Sequence, residues 1–199
     1  MITVNLDKIT SHCRDRGFMS GVERDRSRVK ATGECFTPTP LVQEILDQLP
    51  PESFTDPSKT YLDPSCGDGQ FLSEVLIKKM ENGSTFEQAL STIYGVDLMM
   101  DNVQECRNRL LCGMSGPLPE PINGCTTYEQ LVKKNIVCHD ALTYDYSFNG
   151  WEDGDGKALT DARVIEVQAF GQPIVAPPKE PKRKKKEVMV PMIDGLFGD

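Results

Sequence analysis

The chain has 199 residues, 38% of them hydrophobic and 26% charged, with a formal net charge of −8. That length holds one ordinary domain with a real core, and hardly two. No apolar run reaches the length of a membrane span, the start lacks the apolar stretch of a secretory signal, and the acidic total does not favour a nucleic-acid partner overall.

Residues 1–30 carry little apolar pattern. Arg14, Arg16, Arg24, Arg26, Arg28 and Lys30 alternate there with Asp15, Glu23 and Asp25, which predicts a short helix or a partly ordered basic arm. Such an arm suits local contacts to DNA phosphates, and it suits a solvated end equally well. From residue 31 the pattern turns globular. In Thr37-Pro38-Thr39-Pro40 the second threonine is a candidate helix cap, with Pro40 at the first helical position. Leu41, Val42, Ile45, Leu46 and Leu49 then mark one face of a helix that Pro50-Pro51 ends. Polar loop follows over residues 55–59.

Tyr61-Leu62-Asp63 reads as a short strand, and Pro64-Ser65-Cys66-Gly67-Asp68-Gly69 as a turn feeding a helix. Its two glycines permit dihedrals closed to other residues and let a ligand approach the backbone. The unpaired N–H groups of the helix start suit a carboxylate. Asp63 and Asp68, on either side of the turn, are placed to accept bonds from an ammonium or a hydroxyl. A phosphate cradle would carry Lys and Ser/Thr after the glycine instead. Phe71, Leu72, Val75, Leu76 and Met80 give the helix an apolar side, and Asn82-Gly83 stops it. Ser84-Thr85-Phe86-Glu87 opens a second short helix with a capping-box pattern. Thr92-Ile93-Tyr94-Gly95-Val96-Asp97 is the second strand. Asp101 is expected to cap the next helix, which leaves Asp97 available to a ligand at its strand's carboxyl end. Val103, Cys106, Leu110 and Leu111 carry that helix towards Gly113, and residues 113–126, rich in Pro and Gly, form a surface excursion. A helical piece over 128–134 leads into the third strand, Asn135-Ile136-Val137-Cys138, with His139-Asp140-Ala141-Leu142 at its exit. His139 reads as a strand-end histidine with no catalytic role.

The seven cysteines (Cys13, Cys35, Cys66, Cys106, Cys112, Cys125 and Cys138) include no CxxC pair, and His12 and His139 are the only histidines. Spacing therefore assembles no metal site, and the odd, scattered set suits a reducing cytosol, not a disulfide frame. Alternating strands and helices predict an α/β fold of parallel strands with a ligand at the carboxyl edge.

Asp63-Pro64-Ser65-Cys66-Gly67-Asp68-Gly69 resembles the S-adenosylmethionine (SAM) loop of the N6-adenine DNA methyltransferases. Gly33-Glu34-Cys35-Phe36-Thr37-Pro38 resembles a motif found upstream of that loop in the same family. The resemblance spans residues 32–142 and implies a Rossmann-like SAM-dependent methyltransferase fold, here truncated. It implies S-adenosyl-L-methionine as cofactor, methyl transfer to adenine in DNA, and a site in the cytoplasm of a bacterial or phage-infected cell. Phe36, Thr37 and Pro38 would lie over the methionine end of the cofactor. Asp63 would take its ammonium, and Pro64, Cys66, Gly67 and Gly69 would shape the loop. Asp97 would bond the ribose, with Leu98 beside the adenine, and Asp140, followed by Ala141, would accept the adenine amino group.

The family's catalytic Asp/Asn-Pro-Pro-aromatic tetrapeptide does not occur in the sequence. Its nearest string, Val175-Ala176-Pro177-Pro178-Lys179, has alanine in place of the hydrogen-bonding side chain and lysine in place of the ring that stacks on a flipped base. No catalytic residue is therefore assigned. Arg163-Val164-Ile165-Glu166-Val167 and Pro173-Ile174-Val175 are left to supply a fourth strand or a hairpin. The expected division is a basic arm over 1–30, the methyltransferase-like domain over 31–176, a Pro/Lys-rich linker over 177–187 and a docking peptide over 188–199. Ile193-Asp194-Gly195-Leu196-Phe197 resembles the sliding-clamp-binding peptides of T-even-type phage proteins, which implies a clamp as partner with Ile193, Leu196 and Phe197 as anchors. A segment packing back on its own domain is the alternative. A methyltransferase-derived accessory module that binds SAM without catalysis is the alternative to an enzyme.

Overall fold

Three short parallel strands organise the molecule. In a computed structural model that describes residues 4–15 and 34–148, β1 (Tyr61–Asp63), β2 (Ile93–Asp97) and β5 (Ile136–Cys138) form one sheet in the order β1-β2-β5. Tyr61 lies opposite Ile93, Leu62 opposite Tyr94, and Val96 opposite Val137. Side chains alternate along a strand, so Tyr61, Ile93, Gly95, Ile136 and Cys138 share one face and Leu62, Tyr94, Val96 and Val137 the other. The first face carries the main core, in which Ile93, Ile136 and Cys138 meet Leu72, Leu76, Cys106, Leu110 and Leu131.

The helices on that face are α4 (Gln70–Glu81), α6 (Met100–Leu111) and α7 (Tyr128–Asn135), each of them in contact with the sheet. The short α5 (Phe86–Ser91) links α4 to β2. The alternating pattern is an α/β architecture with a parallel sheet, as expected. No helix among the described residues is long and apolar enough to cross a membrane.

Several local expectations are corrected. Helix α2 (Thr39–Leu46) has Pro38 as its cap residue, so Thr39 is already helical and its hydroxyl accepts a bond from Gln70 Nε2 at 2.6 Å. Val42 and Leu46 are buried on α4, while Leu41, Ile45 and Leu49 stay exposed, so the predicted stripe is split in two. A short helix, α3 (Glu52–Thr55), precedes the first strand and stacks Phe54 on Tyr61 with ring centroids 5.6 Å apart. The capping box of α5 is Thr85 with Gln88, one residue later than the sequence pattern suggested. The excursion after Gly113 is a hairpin of β3 (Pro117–Ile122) and β4 (Cys125–Thr127). Its turn places Asn123 at φ 52 and Gly124 at φ 81. Asn-Gly is the residue pair that a tight hairpin turn demands.

Within the basic N-terminal stretch, α1 (Leu6–Arg14) starts on an Asn5 cap and packs on α4 and α6, burying Ile9 and Cys13. Arg14 does not face solvent partners. It holds the buried Glu74 of α4 through Nε at 2.9 Å and Nη2 at 2.7 Å. Charged groups thus enter the core of α4 beside Leu72, Val75 and Leu76. Lys79 is wholly buried, donating to the Lys59 carbonyl and the Thr92 hydroxyl at 2.6 Å each. On α6, Arg107 donates Nε and Nη2 to the Ile136 carbonyl and so ties that helix to β5. Buried polar atoms cost little only when bonded in this way. Among the described residues none of the cysteines forms a disulfide, and Cys13, Cys66, Cys106, Cys125 and Cys138 are buried. Residues 16–33 and 149–199 lie outside the described part. With them lie most of the basic arm, the two candidate strands after Arg163, the 177–187 linker and the 188–199 peptide with Ile193, Leu196 and Phe197.

Candidate functional site

β1 and β2 end in an aspartate and Asp140 follows β5 by two residues, and each of the three carboxylates accepts the backbone N–H two residues further on. Asp63 Oδ1 takes Ser65 N–H at 3.0 Å, Asp97 Oδ1 takes Met99 N–H at 2.8 Å, and Asp140 Oδ1 takes Leu142 N–H at 2.9 Å. This local bond is the turn preference of aspartate, and it recurs at the exit of each strand, each aspartate standing two residues further along than its neighbour's register partner. The result is a cleft of about 460 Å³ across the carboxyl edge. Its volume lies within the roughly 300–1,000 Å³ usual for small-molecule sites, and its place is the one expected in an open parallel sheet.

Of the residues singled out in the sequence, Phe36, Thr37, Asp63, Pro64, Cys66, Gly67, Asp97, Leu98, Asp140 and Ala141 line this cleft together. Pro38 and Gly69 do not. Pro38 caps α2, its carbonyl accepting the Leu41 and Val42 amides. Gly69 caps α4 at φ +85, where an added Cβ would stand 2.6 Å from Cys106 Sγ. Gly67, at φ +53, has only the Phe36 ring near its missing Cβ, at 3.5 Å. One glycine lets the backbone meet a ligand from the cleft; the other lets α4 meet α6.

Two of the acids carry internal partners that the sequence did not show. Asp68 is buried and belongs to an internal ion pair, with Arg109 Nη2 at 2.8 Å from Oδ2. The other terminal nitrogen of Arg109 holds Gln70 Oε1 at 2.8 Å, so the pair pins the first turn of α4 to α6. Asp68 borders the cleft, and its Oδ2 is taken by Arg109. Burial pulls the Arg109 pKa below its ordinary value, and Asp68 opposes that pull. Nor is Asp97 left open by a cap at Asp101. Helix α6 begins at Met100. Asp97 accepts Gly67 N–H at 2.9 Å, Met99 N–H at 2.8 Å and Asn102 Nδ2 at 3.3 Å. A carboxylate offers about four acceptor sites, so one remains for a ligand hydroxyl. Asp97 positions the glycine turn as much as it faces the cleft.

Burial pushes the Asp63 carboxyl above the usual carboxylate range, with the Ser65 amide opposing. Burial also raises Asp97, against the amides of Met99 and Gly67, and the nearby Glu34 carboxylate adds to the rise. Glu34 is a lining residue that the sequence reading missed. It accepts Asn102 Nδ2 at 2.7 Å, so the segment before α2 is tied to the start of α6 across the cleft. The signal was present, since Glu34 stands inside the quoted Gly-Glu-x-Phe-Thr-Pro string. Asn102 carried no such mark. His139 stacks on Tyr144 with ring centroids 4.6 Å apart and is not among the residues lining the cleft.

Among the described residues, the lining contains Glu34, Asp63, Asp68, Asp97 and Asp140 and no lysine, arginine or histidine. Such a site repels phosphate and carries acceptors for a ligand rich in N–H, O–H and positive charge. Compared with known proteins, the chain matches no family model, no curated protein and no solved structure.

Proposed function

We propose that the cleft binds S-adenosyl-L-methionine and that the chain is a SAM-binding protein of the N6-adenine DNA methyltransferase type, with a Rossmann-like sheet. The observation that carries this reading is the set of three aspartates at or just beyond the carboxyl ends of three adjacent parallel strands, lining one cleft without a cationic side chain among its described lining residues. The cofactor's groups are an ammonium, ribose hydroxyls and an adenine amine, all donors, beside a sulfonium charge. Asp63 keeps one oxygen for the ammonium after bonding Ser65, and Asp140 keeps one for the amine after bonding Leu142. Asp97 has capacity for one ribose hydroxyl. The Phe36 ring against Gly67 covers the methionine end, and the half-exposed Leu98 offers an apolar surface to the adenine.

Bound there, the cofactor supplies an electrophilic methyl group; the residues of the chain bind it, orient it and shield the sulfonium from water. Transfer to adenine in DNA needs a side chain that fixes the amine and a ring that stacks on the base, and the sequence has no Asp/Asn-Pro-Pro-aromatic string for this. The isolated chain is thus a weak or silent enzyme. The second reading, an accessory module tethered to a DNA sliding clamp, rests on that same missing string together with the Ile193, Leu196 and Phe197 peptide. Calorimetric titration with SAM, paired with a methyl-transfer assay on duplex DNA, tests both. Binding with little transfer is expected. No binding at millimolar SAM removes the cofactor reading, and robust adenine labelling removes the silent-enzyme one.

A further inference from the structure

We propose that Cys13 and Cys112 form a reversible disulfide, a modification site that locks the N-terminal helix α1 onto the end of α6. Their sulfurs stand 3.7 Å apart, although the residues are separated by 99 positions along the chain. Both thiols converge on one acceptor, the Arg109 carbonyl, at 3.0 Å from Cys112 Sγ and 3.9 Å from Cys13 Sγ. A disulfide bond is about 2.05 Å long, so the sulfurs must close by roughly 1.7 Å. Cys112 is the side that can yield this, because it stands past the last turn of α6 at φ 49, with Gly113 following at φ 76.

Access separates this pair from the other thiols. Cys13 is 1% exposed while Cys112 is only partly buried, so a reagent reaches one sulfur and the second waits behind it. Cys66 and Cys106 are also partners, yet both are buried. The bond to Cys106, together with burial, holds the Cys66 thiol well above its ordinary pKa. That pair is closed to exchange, which needs an accessible thiolate. Around Cys13 the guanidinium groups of Arg14 and Arg109 both act across space. Neighbouring cations are the setting in which a cysteine takes part in exchange.

The oxidant is a low-molecular-weight disulfide. The Cys112 thiolate attacks one of its sulfurs, breaking that S–S bond and expelling a first thiol. The Cys13 thiolate then attacks the Cys112 sulfur, and a second thiol leaves. Two electrons pass from the protein sulfurs to the reagent, and the two protons given up by the cysteines end on the released thiols. Contacts that hold α1 on the domain include buried Ile9 and the pair of Arg14 with Glu74, which Gln43 of α2 also bonds at 3.0 Å. A link across so long a loop restricts the opened chain and keeps α1 docked. In a reducing compartment such a bond is transient and senses oxidants; it does not serve as a permanent brace. The inference does not depend on which ligand the cleft takes.

The full-length chain is incubated with excess oxidised glutathione, alkylated, and weighed intact and as an unreduced digest. Two of the seven cysteines should escape alkylation, with one linked peptide pair joining Cys13 to Cys112. The melting temperature should rise by roughly 5–15 °C, and the amides of Leu6–Arg14 should exchange about tenfold more slowly. Dithiothreitol should reverse both changes. Cys112→Ser, at a partly exposed position, should fold and show neither. Glutathione retained on Cys112 with Cys13 still alkylated overturns the proposal, as does a link through Cys35 between two copies. A Cys13–Cys112 bond that leaves melting and α1 exchange unchanged overturns the lock.

Discussion

The two halves of the Asp63–Gly69 turn look alike in sequence and do opposite work. Each offers one aspartate and one glycine. In the first half Asp63 and Gly67 line the cleft, with one Asp63 oxygen bonded to Ser65 and the Gly67 N–H bonded to Asp97. In the second half Asp68 is sealed against Arg109 and Gly69 lies against Cys106. The turn is therefore part cleft lining and part structural joint, and the two roles fall on residues one or two positions apart. Substitutions should separate the two roles cleanly.

The largest effect is expected at the joint. Asp68→Ala leaves a buried guanidinium with Gln70 as its remaining acceptor, and breaking a buried pair from one side costs about 3–5 kcal/mol. Thermal or urea unfolding should register that loss, and Asp68→Asn, which keeps an acceptor, should lose less. Equal stability for the alanine variant would mean that the pair contributes nothing and that the comparison is wrong. Gly69→Ala should come next. A left-handed non-glycine residue costs roughly 1–2 kcal/mol. Overpacking against Cys106 adds about 1–3 kcal/mol, since the new Cβ would stand 2.6 Å from its sulfur. The paired variant Cys106→Ala should recover part of the second contribution and none of the first.

On the cleft side the losses should fall on affinity. Asp63→Ala removes a charge-assisted partner worth roughly 1.5–3 kcal/mol, or about ten- to a hundredfold in the dissociation constant for SAM. Its melting temperature should hold or rise slightly, since burial disfavours the ionised Asp63 in the empty protein. A large drop in melting temperature with unaltered affinity would place Asp63 on the structural side instead. Gly67→Ala should cost about 1–2 kcal/mol in backbone strain at φ +53, with no clash, because the Phe36 ring lies at ordinary contact distance.

The smallest expected effect is a pH dependence. Asp63 and Asp97 hold their protons to higher pH than unfolded aspartates do, so the native state binds more protons just above the usual carboxylate range. Their contribution to stability therefore falls as pH rises from about 4 through the raised folded values. A cationic ligand prefers the ionised carboxylates, so its affinity should climb over the same interval with release of protons. Calorimetry in buffers of different ionisation enthalpy measures that release; proton uptake on binding would contradict the charge argument.

Much of the fold was legible along the chain because it rests on local rules. Tyr61-Leu62-Asp63, the stop at Asn82-Gly83 and the helix before the third strand follow from short-range preference and periodicity. The Asn123-Gly124 hairpin was read only as a surface excursion, because prolines at 117, 119 and 121 disguised its first strand. The roles of paired charges were not legible. Glu74, Lys79, Arg107 and Arg109 read as polar positions on amphipathic helices, and each is buried because a partner far along the chain satisfies it. The sequence by itself determined where an aspartate stands at or just past the end of each strand and where glycine admits a turn, since both depend on residues a few positions apart. Only the tertiary structure decided which aspartate stays open. That choice depends on whether an arginine 41 positions away reaches the carboxylate, and no local preference encodes the distance.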